Sequence, residues 1–575
     1  MGASIVLGAT SFAWAQDLPD VPRDRTLISA GWFPYAQVQA PDNFNPYGSP
    51  LLNLLNNLQY TVYEPLFYVN QLSGEVKPWL AEEYAYNSDF TEVTLKLRND
   101  VKWSDGESFS ADDVIFTVNM LLKAAPAISQ SAAFAEWVSS VEAKDEQTVV
   151  FKLKKPGPRW ARDFLAASTT IRLVVVPKHI WDGQDPATFA NFDLQKGWPV
   201  GTGAYRLVKA DSNSLYFDRK DEWWAVAAGR AEHMPEVQRI VYAPATIEAL
   251  PQLYATNAID VGRSIQPGTF EAIRAQNPNL TAWNKEGPVW GAPDGCVFAI
   301  FFNNQTAPFD NPVVRHAINY AIDRDQYVNL AWEGSVKKAV LPFSSYALMV
   351  PYTDSIAKLG LVETLDNHDQ TKVDELMTSA GYSRNGDGFW TDGSGKTLQV
   401  ALEVAQGDPS APVLVEQFRS AGFDALFHAQ PTPALLEAIY AGNFQMTVRP
   451  QCGSSYDPWQ TLQYYHSKYV APVGSKIPSI DAISRFGDEK LDAVLDKMEA
   501  KQPSIDDPDY VSLVNEAVGI FAEDLPAISL AEEFHTLPFN TTYWTGFPSA
   551  DDPYQSPYLV WAPFAQVVAQ LKPRE

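Results

Sequence analysis

The sequence predicts an α/β protein built from more than one domain, and three observations carry that expectation. The first is length, because 575 residues exceed what one hydrophobic core organises. The second is the stretch Cys296–Asp323, CVFAIFFNNQTAPFDNPVVRHAINYAID, where a continuous apolar run is followed by a turn and a strongly periodic segment. The third is a similar succession of strand, turn and capped helix between Leu66 and Leu122, so the same alternation occurs at two distant places in the chain.

Ile5–Ala15 is small and apolar, and Ala13-Trp14-Ala15 before Gln16-Asp17 fits the cleavage rule for a signal peptide, although a basic leading region is missing. Residues 1–15 are therefore expected to be a signal-peptide remnant and the mature, exported chain to start near Gln16. Asp42–Tyr47 is rich in turn formers, and the Asn-studded apolar run Leu51–Tyr60 is expected to be helical. Leu66-Phe67-Tyr68 and the alternating Thr91–Leu97 read as strands, and Trp103–Gly106 as a turn. Ser110 with Asp113 three residues on forms a capping box for a helix with Val114, Ile115, Val118, Leu121 and Leu122 on one face. Val297–Phe302 suits a strand covered on both faces. Asn311 then caps a helix that begins with Pro312 and carries Val314, Ala317, Ile318, Ala321 and Ile322 at helical spacing. Asn385-Gly386-Asp387-Gly388 and Asp392-Gly393-Ser394-Gly395 lack the alternating oxygen ligands and terminal Glu of a calcium loop, so they are read as hairpin turns.

Composition narrows the function. With 46% hydrophobic and 19% charged residues the chain is ordinary globular protein, and no repeat of 20–50 residues is visible. Lys plus Arg number 43 against 69 Asp plus Glu, a net charge of -26, and no basic run interleaves with aromatics. Nucleic acid and anionic membrane surfaces are therefore poor partners. Past the leader no run of eighteen apolar residues occurs, so a spanning helix is not expected. The seven histidines, among them His316 on a helix flank, never form H-E-x-x-H or a close ligand pair. G-x-S-x-G is absent, and Gly201-Thr202-Gly203 lacks the third glycine of a dinucleotide site. No cofactor and no metal is expected. A glycoside hydrolase needs only two carboxylates that can lie far apart in sequence, and a secreted hydrolase stands as the remote alternative.

Several ordered pieces carry a family resemblance: YEPLF (63–67), KPWLAEEY (77–84), LRNDVKWSDGESFSADDVIFT (97–117), PVGTGAYRL (199–207), VRHAINYAIDRD (314–325) and AGYSRNGDGFW (380–390). In this order and spacing they resemble the extracellular solute-binding proteins of family 5, which deliver peptides, nickel complexes or oligosaccharides to ATP-driven importers. The resemblance implies a two-lobed periplasmic-binding-protein fold of type II with an extra domain inserted in the first lobe and two hinge crossovers. On that template residues 16–62, 201–292 and 531–575 form the first lobe, 63–200 the inserted domain and 293–530 the second lobe. The strand after Cys296 is then one crossover, and the apolar run Leu525–Leu530 the other. The implied partners are a small-molecule ligand and the membrane permease, the implied location is the periplasm of a Gram-negative-type cell, and a monomer is expected.

The resemblance also directs attention to Arg449–Tyr465, RPQCGSSYDPWQTLQYY. In similar peptide-binding proteins an Asp four residues before the proline holds the peptide's α-ammonium, and counting back from Pro458 that position here is Ser454. A buried ammonium without a carboxylate is costly, which argues against peptides unless Asp457 or another acid substitutes. The chain has 17 Trp, 25 Tyr and 30 Phe, and flat rings suit the apolar faces of sugars while polar side chains meet the hydroxyls. The expected ligand is an oligosaccharide or related glycoside, with a peptide as the alternative. Trp79, Trp103 and Trp224 fall at family-pattern positions and are read as structural. Trp32, Trp290 and Trp459 are the expected platforms, and Asn43, Asn45, Gln451, Ser454, Tyr456 and Asp457 the expected polar contacts; NFNP at Asn43–Pro46 resembles oligosaccharide-binding members. Cys296 and Cys452 both fall in the second lobe on this template and are either bonded, pinning the ligand loop to its sheet, or two separate buried thiols.

Overall fold

The fold comes from a computed structural model, which describes residues 18–32, 35–48, 58–345, 347–559 and 561–575. The expected signal-peptide remnant and residues 51–57 of the expected helix lie outside the described residues; the helix is seen from Leu58 to Thr61. No helix among the described residues is long and apolar enough to cross a membrane.

The chain crosses between two lobes on a pair of neighbouring strands. Ala292–Phe302 and Ala527–His535 run antiparallel, with Ile300 opposite Ile528 and Ala292 opposite His535. They lie inside a six-stranded sheet in the order Lys337–Lys338, Ala527–His535, Ala292–Phe302, Met446–Gln451, Gln399–Ala405 and Asp424–Gln430. The first four strands pair antiparallel and the last two join in parallel. Val297–Phe302 is buried at every position, as a central strand covered on both faces must be, which is why its sequence is a continuous apolar run rather than an alternating one. It opens five residues earlier than its apolar run, because Ala292 and Pro293 already pair with the return strand.

Local signals set the flanking helices. Asn311 accepts the Val313 amide through its side chain and the helix runs Pro312–Tyr320, two residues short of its apolar spacing, since Asp323 caps a second helix, Arg324–Trp332. Ser110 and Asp113 form the reciprocal capping box of Ala111–Ala124. Ser383–Arg384 pairs with Trp390–Thr391 around the Asn385–Gly388 turn. Leu525, in the left-handed conformation, ends the helix Pro508–Asp524 and turns the chain into the return strand.

Core packing follows the same division. Phe298 to Ala531 fill two clusters on the two sides of the six-stranded sheet. A larger cluster unites Leu27–Tyr242 with Trp544–Leu571, a smaller one joins Ala30 to residues from 245–290, and another joins Val261, Trp283 and Ala292 to Leu537, Phe539 and Tyr558. The segment 63–200 contributes its own antiparallel sheet, in the order Ala81–Tyr86, Glu92–Leu97, Thr148–Leu153 and Val138–Ala143, beside the sheet Thr26–Ser29, Arg239–Tyr242, Leu215–Arg219 and Tyr205–Ala210. Its apolar side chains share one continuous cluster with that second sheet. Glu64 shows how the two are joined: buried, it accepts the indole N–H of Trp79 at 2.9 Å and of Trp224 at 2.7 Å. Burial raises its carboxyl pKa while those donors pull the other way. Trp103 donates to Asp113. These three tryptophans are thus structural.

Cys296 and Cys452 are joined in a disulfide, spanning 156 residues of sequence between the crossover strand and the end of its neighbour Met446–Gln451. Closing so long a loop restricts the unfolded chain. Denatured, unreduced protein is therefore expected to show no titratable thiol and two after reduction, and replacing both cysteines by serine to lower unfolding free energy by about 2–4 kcal/mol. Two thiols before reduction would remove the bridge.

Candidate ligand site between the lobes

A cavity of about 350 Å³ lies where the lobes meet. The first lobe supplies Gln71, Arg162, Asp163, Ser168, Thr169, Thr170, Arg172, Tyr558 and Trp561; the crossover strand supplies Pro293 to Cys296; the second lobe supplies Gly453 to Tyr456, Gln460, Gln463, Tyr464 and Asp481. The helix Trp160–Leu165 positions the first-lobe charges, and the loop after Met446–Gln451 with the helix Trp459–Leu462 positions the second-lobe face. The disulfide is itself part of the wall.

The charges here are arranged across the seam. The Tyr456 hydroxyl donates to Asp163 at 2.6 Å, and the Arg162 guanidinium lies 4.1 Å from the centre of the Tyr456 ring. Burial pushes the Asp163 carboxyl up, against the Tyr456 hydroxyl and the charges of Arg172 and Arg159, which pull it down. Burial likewise raises Asp481, opposed by Arg449 and Ser479. Neither Asp481 nor Arg172 makes an ion pair with any described residue.

Of the expected contacts, the cavity gathers Ser454 and Tyr456. Ser454 is fully buried, and its hydroxyl donates to the Pro458 carbonyl and accepts from the Thr461 amide. Asp457 and Trp459 need correcting, because they do not face the cavity. Asp457 is 0% exposed, ion-paired with Arg159 and bonded by the Tyr510 hydroxyl. Trp459 is 7% exposed and donates its indole N–H to the Leu495 carbonyl. Gln451 is buried behind the wall, accepting from the Tyr465 hydroxyl. Trp290 packs on Phe270 and donates its indole N–H to Glu271, so its N–H and ring are spent on the first lobe. Asn45 donates to the carbonyls of Pro186 and Phe189, and Asn43 accepts the Asn45 amide; the NFNP turn holds its own lobe together. Trp32 stands one layer behind the wall, its ring 5.0 Å from His535 and 6.5 Å from Tyr558. Sequence reasoning missed Arg162, Asp163, Arg172 and Trp561. Nothing local marks them, since they reach the cleft only through the lobe arrangement.

One group of donors near the wall could hold a cation: Asp294, Glu533 and His535, contributed by the two crossover strands. The other such group includes both cysteines and is committed to the disulfide. His535 Nε2 lies 3.4 Å from Asp294 and 3.2 Å from Glu533, with the rings of Trp32 and Tyr558 packed against the imidazole. Burial alone would lower its pKa, but the Glu533 charge and the hydrogen bonds to Glu533 and Asp294 outweigh that and raise it to about 10. A proton thus holds the place between the carboxylates. Because the folded-state value lies above the ordinary one near 6.5, the stabilisation is complete below about pH 6.5 and is lost as pH rises toward 10. The stability gap between wild type and His535→Gln, measured by urea unfolding, is expected to be largest at pH 6 and to shrink steadily to pH 10; a gap constant over that range would refute the assignment.

Comparison with known proteins agrees with this architecture. The model for bacterial extracellular solute-binding proteins, family 5, matches residues 75–471. The nickel-binding periplasmic protein of Escherichia coli is 26% identical over 433 residues, 73% of this chain and 75% of that protein. The oligopeptide-binding protein AppA of Bacillus subtilis is 23% identical over 384 residues, 64% of each chain. The periplasmic oligopeptide-binding protein of an oligopeptide ABC transporter from Thermotoga maritima has the same fold, with a TM-score of 0.81 at 22% identity over 96% of this chain and 100% of that one. A mannohexaose-bound structure of that protein gives 0.76 at 23% identity over 97% and 100%. With the family match spanning well over half its length, this chain belongs to the bacterial extracellular solute-binding proteins of family 5, the substrate-binding components of ABC importers rather than enzymes.

Proposed function

We propose that the protein captures an oligosaccharide or related glycoside between its lobes and delivers it to the membrane permease of an ABC importer. The observation that carries this reading is the chemistry of the cavity wall. Gln71, Ser168, Thr169, Thr170, Ser455, Gln460 and Gln463 offer uncharged donors and acceptors, while Tyr464, Tyr558 and Trp561 offer ring surfaces. Hydroxyl-rich ligands with apolar ring faces match such a wall. The mannohexaose complex of the Thermotoga protein is a precedent for sugar binding on this fold.

In this reading residues 16–62, 201–292 and 531–575 move as one lobe together with the inserted 63–200, and 293–530 as the other. The crossover strands absorb the rotation. Ligand bridging both lobes stabilises the shut form, which the permease recognises. The mature protein acts as a monomer in the periplasm of a Gram-negative-type cell.

A peptide is the second reading, supported by Asp481 and Arg172, a carboxylate and a guanidinium in the wall without ion-pair partners among the described residues, which would suit the two ends of a zwitterion. Calorimetry with panels of oligosaccharides and short peptides separates the two. A sugar ligand is expected to lose about ten- to a hundredfold in affinity on Trp561→Ala, by analogy with desolvated aromatic anchors, and little on Asp481→Asn. High-affinity peptide binding that collapses on Asp481→Asn would overturn the oligosaccharide reading.

A further inference from the structure

Arg159 has no side-chain partner in its own lobe. It caps the helix Trp160–Leu165 of the first lobe and is 5% exposed, yet every group its guanidinium meets belongs to the second lobe. It is ion-paired with Asp457, and donates to the Tyr510 hydroxyl at 2.6 Å and the Met498 carbonyl at 2.8 Å. Its charge lies 4.8 Å from the centre of the Trp459 ring and 5.4 Å from that of Tyr510. Three separate pieces of the second lobe thus form a cup around one arginine: the ligand-side loop, the end of the helix Glu489–Glu499, and the start of the helix Pro508–Asp524.

We propose that Arg159 is a clasp that holds the two lobes shut without ligand, with Asp457 as its receptor. An arginine whose only partners lie across a cleft is buried solely when that cleft is closed, so its contacts add free energy to closure and to nothing else in the fold. The receptor is formed in advance within the second lobe, because Asp457 also accepts the Trp459 amide at 2.8 Å and the Tyr510 hydroxyl. Pre-formed receptors cost little to order on docking. Planar guanidinium suits this cup, pairing with a carboxylate, donating to two further oxygens and facing two rings at once. Along the same seam Tyr456 meets Asp163 and Arg162, while Lys155 reaches Glu499 at 3.4 Å in a more exposed pair that contributes less.

The consequence concerns capture. A clasp independent of ligand lets the empty protein populate the closed form, so a ligand must wait for opening, and once inside it is retained by contacts it does not itself make. Weakening the clasp should quicken both entry and escape.

The test needs no knowledge of the ligand. Full-length mature protein is unfolded, dialysed free of small molecules and refolded, native mass spectrometry confirms that it is empty, and small-angle scattering compares wild type with Arg159→Met and Asp457→Asn. Removing one partner of a buried charge pair leaves the other uncompensated in the closed form, so both variants are expected to lower the closed-to-open ratio about a hundredfold or more and to show a larger radius of gyration than empty wild type. The double variant, which leaves no uncompensated charge in the closed form, is expected to lie closer to wild type than either single variant. Arg159→Lys, which keeps the charge but not the planar fork, is expected to lie between, and it serves if the methionine variant does not fold by near-ultraviolet circular dichroism. Equal radii for empty wild type, Asp457→Asn and a folded Arg159 variant would overturn the clasp. That result would leave the sugar reading untouched.

Discussion

The antiparallel pairing of Ala292–Phe302 with Ala527–His535 is the constraint on which the rest of the molecule depends. Both passages of the chain between lobes are made here, side by side and inside a sheet buried on both faces. A two-strand crossing leaves the lobes free to rotate about one line and resists other displacements. The pair is reinforced where it leaves the core: His535 bridges Asp294 and Glu533 from the two strands, and the disulfide ties Cys296 to the loop that faces the cavity. The hinge is thus rigid next to the ligand wall, so a rotation of one lobe carries an intact binding face with it.

At the other margin of the contact the lobes meet through charge rather than through apolar surface. Arg159 and Asp457 are buried and Asp163 is half-buried where the lobes meet, each with a partner across the seam, in a protein whose overall charge is -26. A buried charge matched across a cleft is expensive to leave without its partner while the cleft is shut. Such an interface favours two discrete states, shut and open, over a continuum. The wall between hinge and clasp combines uncharged polar groups and rings with the charges of Arg162, Asp163, Arg172 and Asp481.

Several tryptophans are anchored through a hydrogen bond from the indole N–H. Trp79 and Trp224 donate to Glu64, Trp290 to Glu271, Trp459 to the Leu495 carbonyl, Trp390 to the Ala421 carbonyl and Trp544 to the Thr26 carbonyl. An indole N–H taken out of water needs an acceptor, so a tryptophan with a buried acceptor is tied into its own lobe. Position in the sequence says nothing about where that acceptor lies. Trp561 lies in the cavity wall, and its sequence neighbourhood gave no hint of it.

Features governed by neighbours along the chain were determined by the sequence alone. The caps at Ser110 and Asn311, the buried strand from Val297 and the hairpin at Asn385–Gly388 each depend on residues within a few positions of one another, where steric and hydrogen-bonding preferences act directly. The ordered family pieces extended that legibility to the two-lobed architecture. The binding face was legible only in part: Ser454 and Tyr456 line the cavity, but Asp457 and Trp459, adjacent in sequence, turn away from it. Tertiary structure decided this, because Asp457 finds its counter-charge in Arg159, 298 residues distant. A carboxylate in a loop carries no mark of which cation will neutralise it. That choice belongs to the packing of two lobes, where desolvation makes an unpaired charge intolerable and the nearest guanidinium, wherever it stands in the chain, becomes the partner.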